Sequence, residues 1–477
     1  MQRKYGLFTA ICLIVGTVVG SGVFFKAQNI LNATGGNLGL GVLAWLLGGA
    51  IMIFCILAFA SMAQKYEKVN GLVDYSEAAV GPRYAYFMGW FSAVIYLPAM
   101  TGVLAWVSAR YTLEFVTNTW PSFPMIVPAA EGGCIIGPEC MALTLLYLVA
   151  SYVMNSLSPK LAGKFQTSTT VIKFIPLSLM AIVGIIVGLF VTKAPLAEPQ
   201  LLANFKVLGA AENGGGGKAL LTAVCATAFA YEGWIVTTSI NAELKDSKKN
   251  LPRALIIGGI IIVSIYILYY LGVAGGASVE KLMKDGAPTA FTNIFGRLGN
   301  ILTLFVAVSC LGTLNGLMMG STRAMYALAA RKQGPKPELF GQVDPTSNMT
   351  TNSAVVGLLV CALWGVYFYV ANLFGTMGGM VAFKGTALES VAFVFDSSEI
   401  PIITMYAMYI PIFINWIRKE KDESPVRRFV LPILAIVACC FIVYACIVSK
   451  KMENFWYIIV FAAIMGLGAL VKNSKKK

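Results

Sequence analysis

The sequence predicts an all-α integral membrane protein, and three observations carry this prediction. Hydrophobic residues make up 58% of the 477 residues and charged residues only 12%, whereas soluble proteins average roughly a quarter charged residues. Apolar segments of about 20 residues, the length that crosses a bilayer, recur along the whole chain. Glycine interrupts the first of these segments near its centre, which predicts a spanning helix that breaks inside the membrane.

The apolar segments predict about twelve spanning helices. We treat the N-terminal segment as the first span, and not as a signal peptide, because no small-x-small cleavage site follows it. An even number of spans places both termini on the same side of the membrane. The predicted spans are 7–31, 39–63, 84–113, 141–157, 165–191, 219–242, 253–276, 298–330, 353–374, 398–417, 428–448 and 454–471.

The distribution of basic residues predicts the orientation of the chain. Most of the 36 Lys and Arg residues lie on the same side as the N terminus, and this bias predicts cytoplasmic termini in a multi-pass protein of the cell membrane. The smaller group of basic residues lies outside or at outer span ends, and it includes Lys26. Lys173 lies too deep in a span to be assigned to either side. The net charge of +14 then reflects topology and contact with anionic lipid, so we expect no nucleic-acid partner.

The residue types present argue against an enzyme. The sequence contains no histidine, which removes zinc-hydrolase chemistry and histidine proton relays. It also contains no nucleophile elbow, phosphate loop or paired-carboxylate signal, and we expect neither a cofactor nor a metal. Among the ten cysteines, Cys134 and Cys140 share an outer loop, and their spacing leaves a disulfide between them open.

The interruption of the first span is the strongest indication of a binding site. It covers residues 16–24, Gly-Thr-Val-Val-Gly-Ser-Gly-Val-Phe. Unpaired backbone at membrane depth is tolerated only where it lines a cavity or is buried in protein. The N–H groups of Gly20, Ser21 and Gly22, at the start of an outer half-helix, suit a substrate carboxylate. The alternative is that these glycines only allow close helix packing.

A second interruption follows in the sixth span, at residues 229–234, Phe-Ala-Tyr-Glu-Gly-Trp. Carbonyl groups near Val15 and Gly16, together with those around Phe229 and Ala230, are then available for a substrate ammonium. Glu232 is costly at this depth unless it faces water or a partner. Corresponding interruptions in spans one and six predict a transporter with an inverted repeat and its site at the repeat interface. We accordingly predict repeats at 1–195 and 196–420, with peripheral helices and a basic tail at 421–477.

These segments resemble the amino acid–polyamine–organocation superfamily, and within it the L-type amino acid transporter branch is most similar. The resemblance rests on both interruptions, on Asn-Leu-Pro-Arg at 250–253, on 309–316 in the eighth span and on the loops at 70–83 and 321–331. It implies a LeuT-like 5+5 inverted repeat with helices 1 and 6 unwound, plus two peripheral helices. It also implies alternating access and amino acid substrates.

The resemblance also suggests roles for three side chains. Phe229 matches an aromatic outer gate above the substrate, with ordinary packing as the alternative. Lys173 matches a lysine that takes the place of sodium, with a snorkelling lysine as the alternative. Glu232 matches an acidic residue of members that carry dibasic amino acids, although a proton site or an internal salt bridge fits equally well. A tyrosine of the seventh span is expected to help hold Lys173, and the candidates are Tyr266, Tyr269 and Tyr270.

The sequence therefore predicts a sodium-independent amino acid exchanger or facilitator, with cationic amino acids among the candidate substrates. A proton-coupled amino acid or polyamine permease or antiporter is the alternative, because Glu232 and Lys173 are both titratable. A channel or membrane enzyme lacks any supporting motif. We expect the amino acid and the lipid bilayer as partners, and no obligate heavy subunit. The outer connection at 375–397 has no assigned role.

Overall fold

The structure is a computed structural model that describes residues 6–65, 71–124, 137–192, 198–211, 215–235, 244–344, 349–373 and 395–472. The regular structure of these residues is helical, as the sequence predicts. Ten helical stretches are long and apolar enough to cross a membrane, and a bent pair near the N terminus raises this number to at most eleven. The prediction of a multi-span membrane protein is therefore confirmed, whereas the number of twelve spans stays a prediction.

Twenty α-helices follow one another along the described part of the chain. Short π-helical segments at Ser92–Tyr96, Met180–Gly184 and Val426–Val430 continue the neighbouring helices into longer spans. The helices are α1 (Leu7–Val18), α2 (Gly22–Ala33), α3 (Leu38–Lys65), α4 (Leu72–Ala79), α5 (Pro82–Phe91), α6 (Leu97–Thr119), α7 (Pro138–Leu157), α8 (Pro159–Leu179), α9 (Ile185–Phe190), α10 (Gln200–Phe205), α11 (Gly216–Ala230), α12 (Ser247–Gly276), α13 (Val279–Asp285), α14 (Ala287–Phe295), α15 (Gly299–Ala329), α16 (Pro337–Phe340), α17 (Thr351–Leu373), α18 (Ile400–Lys419), α19 (Leu431–Ser449) and α20 (Lys451–Val471).

The chain forms two compact units, and each unit is discontinuous in sequence. Unit 1 comprises Met1–Met88, Leu177–Ile294 and Ile402–Ser449, and unit 2 comprises Gly89–Pro176, Phe295–Pro401 and Lys450–Lys477. Each unit draws segments from both predicted halves of the sequence. The repeats at 1–195 and 196–420 therefore stay a prediction.

Unit 1 has an aromatic core beside close helix contacts. The Trp45 ring of α3 meets the rings of Tyr231 and Tyr266 edge-on, with centroids 5.7 and 5.6 Å apart. On α12, a Cβ at Gly272 would overlap the backbone at Met180. Small residues at helix contacts let membrane helices approach each other closely, where van der Waals packing stabilises them. This packing holds α12 against the rest of unit 1.

Unit 2 contains a buried ion-pair cluster beside its last helix. Lys450 lies 2.9 Å from Glu399, 3.3 Å from Asp396 and 3.7 Å from Glu453. Burial disfavours the ammonium charge, but the attraction of the three carboxylates outweighs it and raises the pKa of Lys450 well above its ordinary value. The cluster ties the start of α20 to the segment that precedes α18.

Candidate functional site

The first span is divided between α1 and α2, whose axes are bent by 43°. Helix α1 ends at Val18, and Val19 has an extended backbone with ψ of 99°. The amide of Val19 still donates to the Val15 carbonyl at 2.8 Å. The backbone therefore leaves the helix only at 19–21, later than Val15 and Gly16, and we call residues 19–21 the first break.

Ser21 is the polar side chain of the first break. Its side chain is only 1% exposed, and its hydroxyl has no hydrogen-bond partner among the described residues. A buried polar group without a partner costs about 1–3 kcal/mol. The first N–H groups of a helix also lack partners within that helix, and α2 begins at the next residue. A hydroxyl and amide donors are thus available together for an anionic group.

Gly22 allows α2 and α11 to approach each other at this point. A Cβ on Gly22 would overlap the backbone of Ala230, the last residue of α11. Any side chain here would force the two helices apart. The sequence predicted a close backbone approach to a substrate at Gly22, and the structure shows in addition that the glycine is needed for packing.

The second break begins where α11 ends at Ala230. Gly233 has a φ of +104°, which favours glycine, and a Cβ on it would lie 3.3 Å from the Thr17 carbonyl oxygen of α1. The chain continues as a turn and a short 3₁₀ segment as far as residue 235, where the described stretch ends. The two breaks predicted from separate parts of the sequence are therefore neighbours in unit 1.

Tyr266 of α12 joins the two breaks. Its hydroxyl lies 3.0 Å from the Val18 carbonyl oxygen and 3.1 Å from the Ala230 carbonyl oxygen, and the amide of Gly20 also reaches this hydroxyl. The side chain is fully buried. From sequence, Tyr266 was only one of three candidates to hold Lys173, because spacing along a helix does not identify the partner of a side chain.

Phe229, the predicted gate, packs with two residues of α2. Its ring meets the Phe25 ring edge-on, with centroids 6.1 Å apart. The Lys26 ammonium lies 5.4 Å from the Phe229 centroid and 5.1 Å from that of Phe25. Lys26 is completely buried. From sequence, Lys26 was predicted to lie at an outer span end and not in the site.

Glu232 lies in the second break and is 8% exposed. Its carboxylate is close enough to Cys55 of α3 and Tyr406 of α18 to interact electrostatically with both. The Cys55 sulfur in turn lies 3.6 Å from the sulfur of Cys439. Glu232 is thus surrounded by side chains of unit 1, and its predicted contact with a substrate cation stays a prediction.

Lys173 lies in α8 and belongs to unit 2, whereas the other predicted site residues belong to unit 1. It is completely buried, and it interacts electrostatically with Cys310 of α15. One helical turn before Lys173, Thr169 packs closely on Gly312 of α15. A Cβ added to Gly312 would overlap the Thr169 side chain. The predicted role of Lys173 as a substitute for sodium stays a prediction.

Three features of the sequence analysis lie outside the described residues. The first is Cys134, so that the disulfide with Cys140 stays open. The second is the end of the sixth predicted span at 236–242, and the third is most of the outer connection at 375–397.

Comparisons with known proteins show that the chain is similar to amino acid transporters. The sequence profile of a family described as amino acid permease matches residues 5–470. The serine/threonine exchanger SteT of Bacillus subtilis (strain 168) is 28% identical over 95% of this chain and 93% of its own length. The human b(0,+)-type amino acid transporter 1 is 24% identical over 97% of this chain and 86% of its length. The mouse Asc-type amino acid transporter 1 is 24% identical over 76% of this chain and 63% of its length.

Proposed function

Because the chain belongs to the amino acid permease family, whose similar members are transporters and not enzymes, we propose that it exchanges amino acids without sodium by alternating access. The observation that carries the proposal is the pair of adjacent breaks linked by Tyr266. The start of α2, with the Ser21 hydroxyl that has no hydrogen-bond partner among the described residues, and the carbonyl ends of α1 and α11 together suit a zwitterion. Small neutral amino acids are the first candidates, since SteT is a serine/threonine exchanger.

In this proposal the first break binds the α-carboxylate of the substrate, and the carbonyl ends of α1 and α11 bind its α-ammonium. The amides of Ser21 and Gly22 and the Ser21 hydroxyl donate to the α-carboxylate. The α-ammonium donates to carbonyl oxygens around Gly16 and Ala230. Phe229 covers the occupied site as its outer gate.

Lys173 provides the positive charge that makes sodium unnecessary. A completely buried ammonium is rare in a spanning helix and marks a functional position. We further propose that both termini are cytoplasmic, in keeping with the distribution of basic residues, and that no heavy subunit is required.

Uptake by the purified chain in proteoliposomes tests these points together. Labelled serine uptake should rise when unlabelled serine is present inside, and replacing sodium with choline should not change it. Lys173→Ala should lose most of the uptake, whereas Lys451→Ala, at an exposed position of α20, should retain it. Uptake that is indifferent to internal amino acid, or steeply dependent on sodium, would refute the proposal.

A second candidate function is transport of cationic amino acids, and the buried carboxylate of Glu232 favours it. A charge-assisted hydrogen bond contributes about 1.5–3 kcal/mol, which corresponds to roughly ten- to a hundredfold in affinity. Glu232→Gln should therefore weaken the affinity for lysine and ornithine by this factor and leave the affinity for serine unchanged. Loss of pH dependence alone would favour the proton-coupled alternative, and equal loss of all substrates would indicate a structural role.

A further inference from the structure

Lys26 is a buried cation that the proposed exchange mechanism does not use. It lies in α2 at the i+4 position from Gly22, and residues with this spacing share one face of a helix. At Gly22 this face meets α11 at Ala230. At Lys26 it meets the same helix at Phe229. Lys26 therefore lies in the contact between α2 and α11, one helical turn beyond the first break.

The Lys26 ammonium lies between two aromatic rings in its buried position. A lysine near the end of a spanning helix normally extends its head group towards water, yet Lys26 is completely buried. The faces of aromatic rings attract cations, and this attraction strengthens when water is excluded. Two rings, those of Phe25 and Phe229, lie 5.1 and 5.4 Å from the ammonium. The Lys26 ammonium is thus in contact with the face of the Phe229 ring.

We propose that Lys26 determines substrate charge specificity at the outer gate, because it holds the Phe229 ring and places a fixed positive charge beside the bound side chain. The inference rests on the proposed function, in which Phe229 covers the substrate. An amino acid with a second ammonium group beneath this ring would bring two positive charges within about 10 Å of each other. At an effective dielectric constant of about 20, their repulsion disfavours the cationic substrate by roughly tenfold.

The expected repulsion of cationic substrates by Lys26 opposes the attraction suggested for Glu232. Substitutions of the two residues should therefore change the preference for the same substrates in opposite directions. Removing the Lys26 charge should improve the affinity for lysine relative to that for serine. Removing the Glu232 charge should weaken the affinity for lysine relative to that for serine. The Glu232 carboxylate and the Lys26 ammonium both belong to buried residues of unit 1.

The test measures the KM for lysine and for serine in proteoliposomes that contain the full chain and internal serine. Lys26→Met removes the charge at nearly constant length, and it should lower the KM ratio of lysine to serine by about tenfold. Lys26→Arg retains the charge and the contact with the rings, and it should keep the wild-type ratio. Lys206→Met, at an exposed position of unit 1, is the matched control and should change neither KM.

A double-mutant cycle tests whether the effect passes through the gate. Lys26→Met and Phe229→Leu should each raise the KM for serine, and their combination should raise it by less than the product of the two single effects. Multiplicative effects would show that Lys26 does not hold the ring and would overturn that part of the proposal.

The outcomes also separate this inference from the proposed function. An unchanged KM ratio in Lys26→Met, with wild-type exchange intact, overturns the inference alone. A wild-type chain that shows no serine exchange refutes the proposed function instead. If Lys26→Met is not recovered as folded protein, Lys26→Gln is measured in its place, and thermal shifts with lysine and serine report the corresponding ratio of dissociation constants.

Discussion

The two breaks of unit 1 differ in the structure that the chain adopts after each of them. After the first break a new helix begins at Gly22, within four residues of the end of α1. After the second break the chain continues as a turn and a 3₁₀ segment through residue 235. The first break therefore presents the positive start of a helix, and the second presents the carbonyl end of α11. Two similar glycine-containing interruptions therefore contribute opposite chemical groups.

The breaks also depend on each other. Gly22, which directly follows the first break, lies against Ala230, where the second break begins. The Tyr266 hydroxyl lies within hydrogen-bond distance of the carbonyl oxygens of Val18 and Ala230, the last residues of α1 and α11. A change at one break should therefore affect the other, and the size of the effect should depend on the kind of contact that is removed.

The largest effect is expected from Gly22→Val, which drives a side chain into the backbone of Ala230 and covers the amide donors. Uptake of every substrate should be abolished in a protein that still inserts into the membrane. The matched control is Gly466→Val in α20, where a Cβ would meet nothing within 4 Å. Wild-type affinity for serine in Gly22→Val would show that the first break is not the carboxylate site.

A smaller effect is expected from Tyr266→Phe, which removes the hydroxyl shared by the two breaks. Hydrogen bonds inside membrane proteins contribute about 0.6 kcal/mol on average and at most about 1.7 kcal/mol. The KM for serine should therefore rise about three- to twentyfold. Tyr270→Phe is the matched control, because its hydroxyl is equally buried and has no hydrogen-bond partner among the described residues. Equal effects of the two substitutions would contradict a specific link between the breaks.

The smallest effect is expected from Ser21→Ala. If the hydroxyl binds only the substrate, the substitution should weaken serine binding by about two- to tenfold, equivalent to a net hydrogen bond of about 0.5–1.5 kcal/mol. The melting temperature of the ligand-free protein should not fall, because the hydroxyl has no partner there among the described residues. Melting temperatures measured with and without serine separate the change in serine binding from the change in stability of the ligand-free protein. A lower melting temperature without ligand would indicate a structural role for the hydroxyl.

Several parts of this architecture were predictable from sequence. The hydropathy pattern predicts a multi-span helical membrane protein, and the glycines at 16–22 predict a broken first span, because both signals depend on order along the chain. The depth of Lys173 in its span likewise predicts a buried position. The match of the permease profile over residues 5–470 confirms the resemblance that these motifs suggested.

Other parts were not predictable because they depend on neighbours distant in sequence. Lys26 lies close to a span end, where sequence position suggests contact with water, but packing of α2 against α11 buries it against Phe229. Glu232 has Cys55 and Tyr406 as neighbours, and these residues lie far away along the chain.

The sequence by itself determined that the chain is a multi-span helical membrane protein and that its first apolar segment contains a break, since apolar composition and glycine flexibility act locally. Only the tertiary structure decided which groups meet at the breaks. The bond from Tyr266 to Val18 and Ala230, the approach of Gly22 to α11 and the position of Lys26 over Phe229 all depend on which helix faces pack together. In a membrane, that choice results from close packing and from pairing of buried polar groups, because the lipid is as apolar as the helices it surrounds.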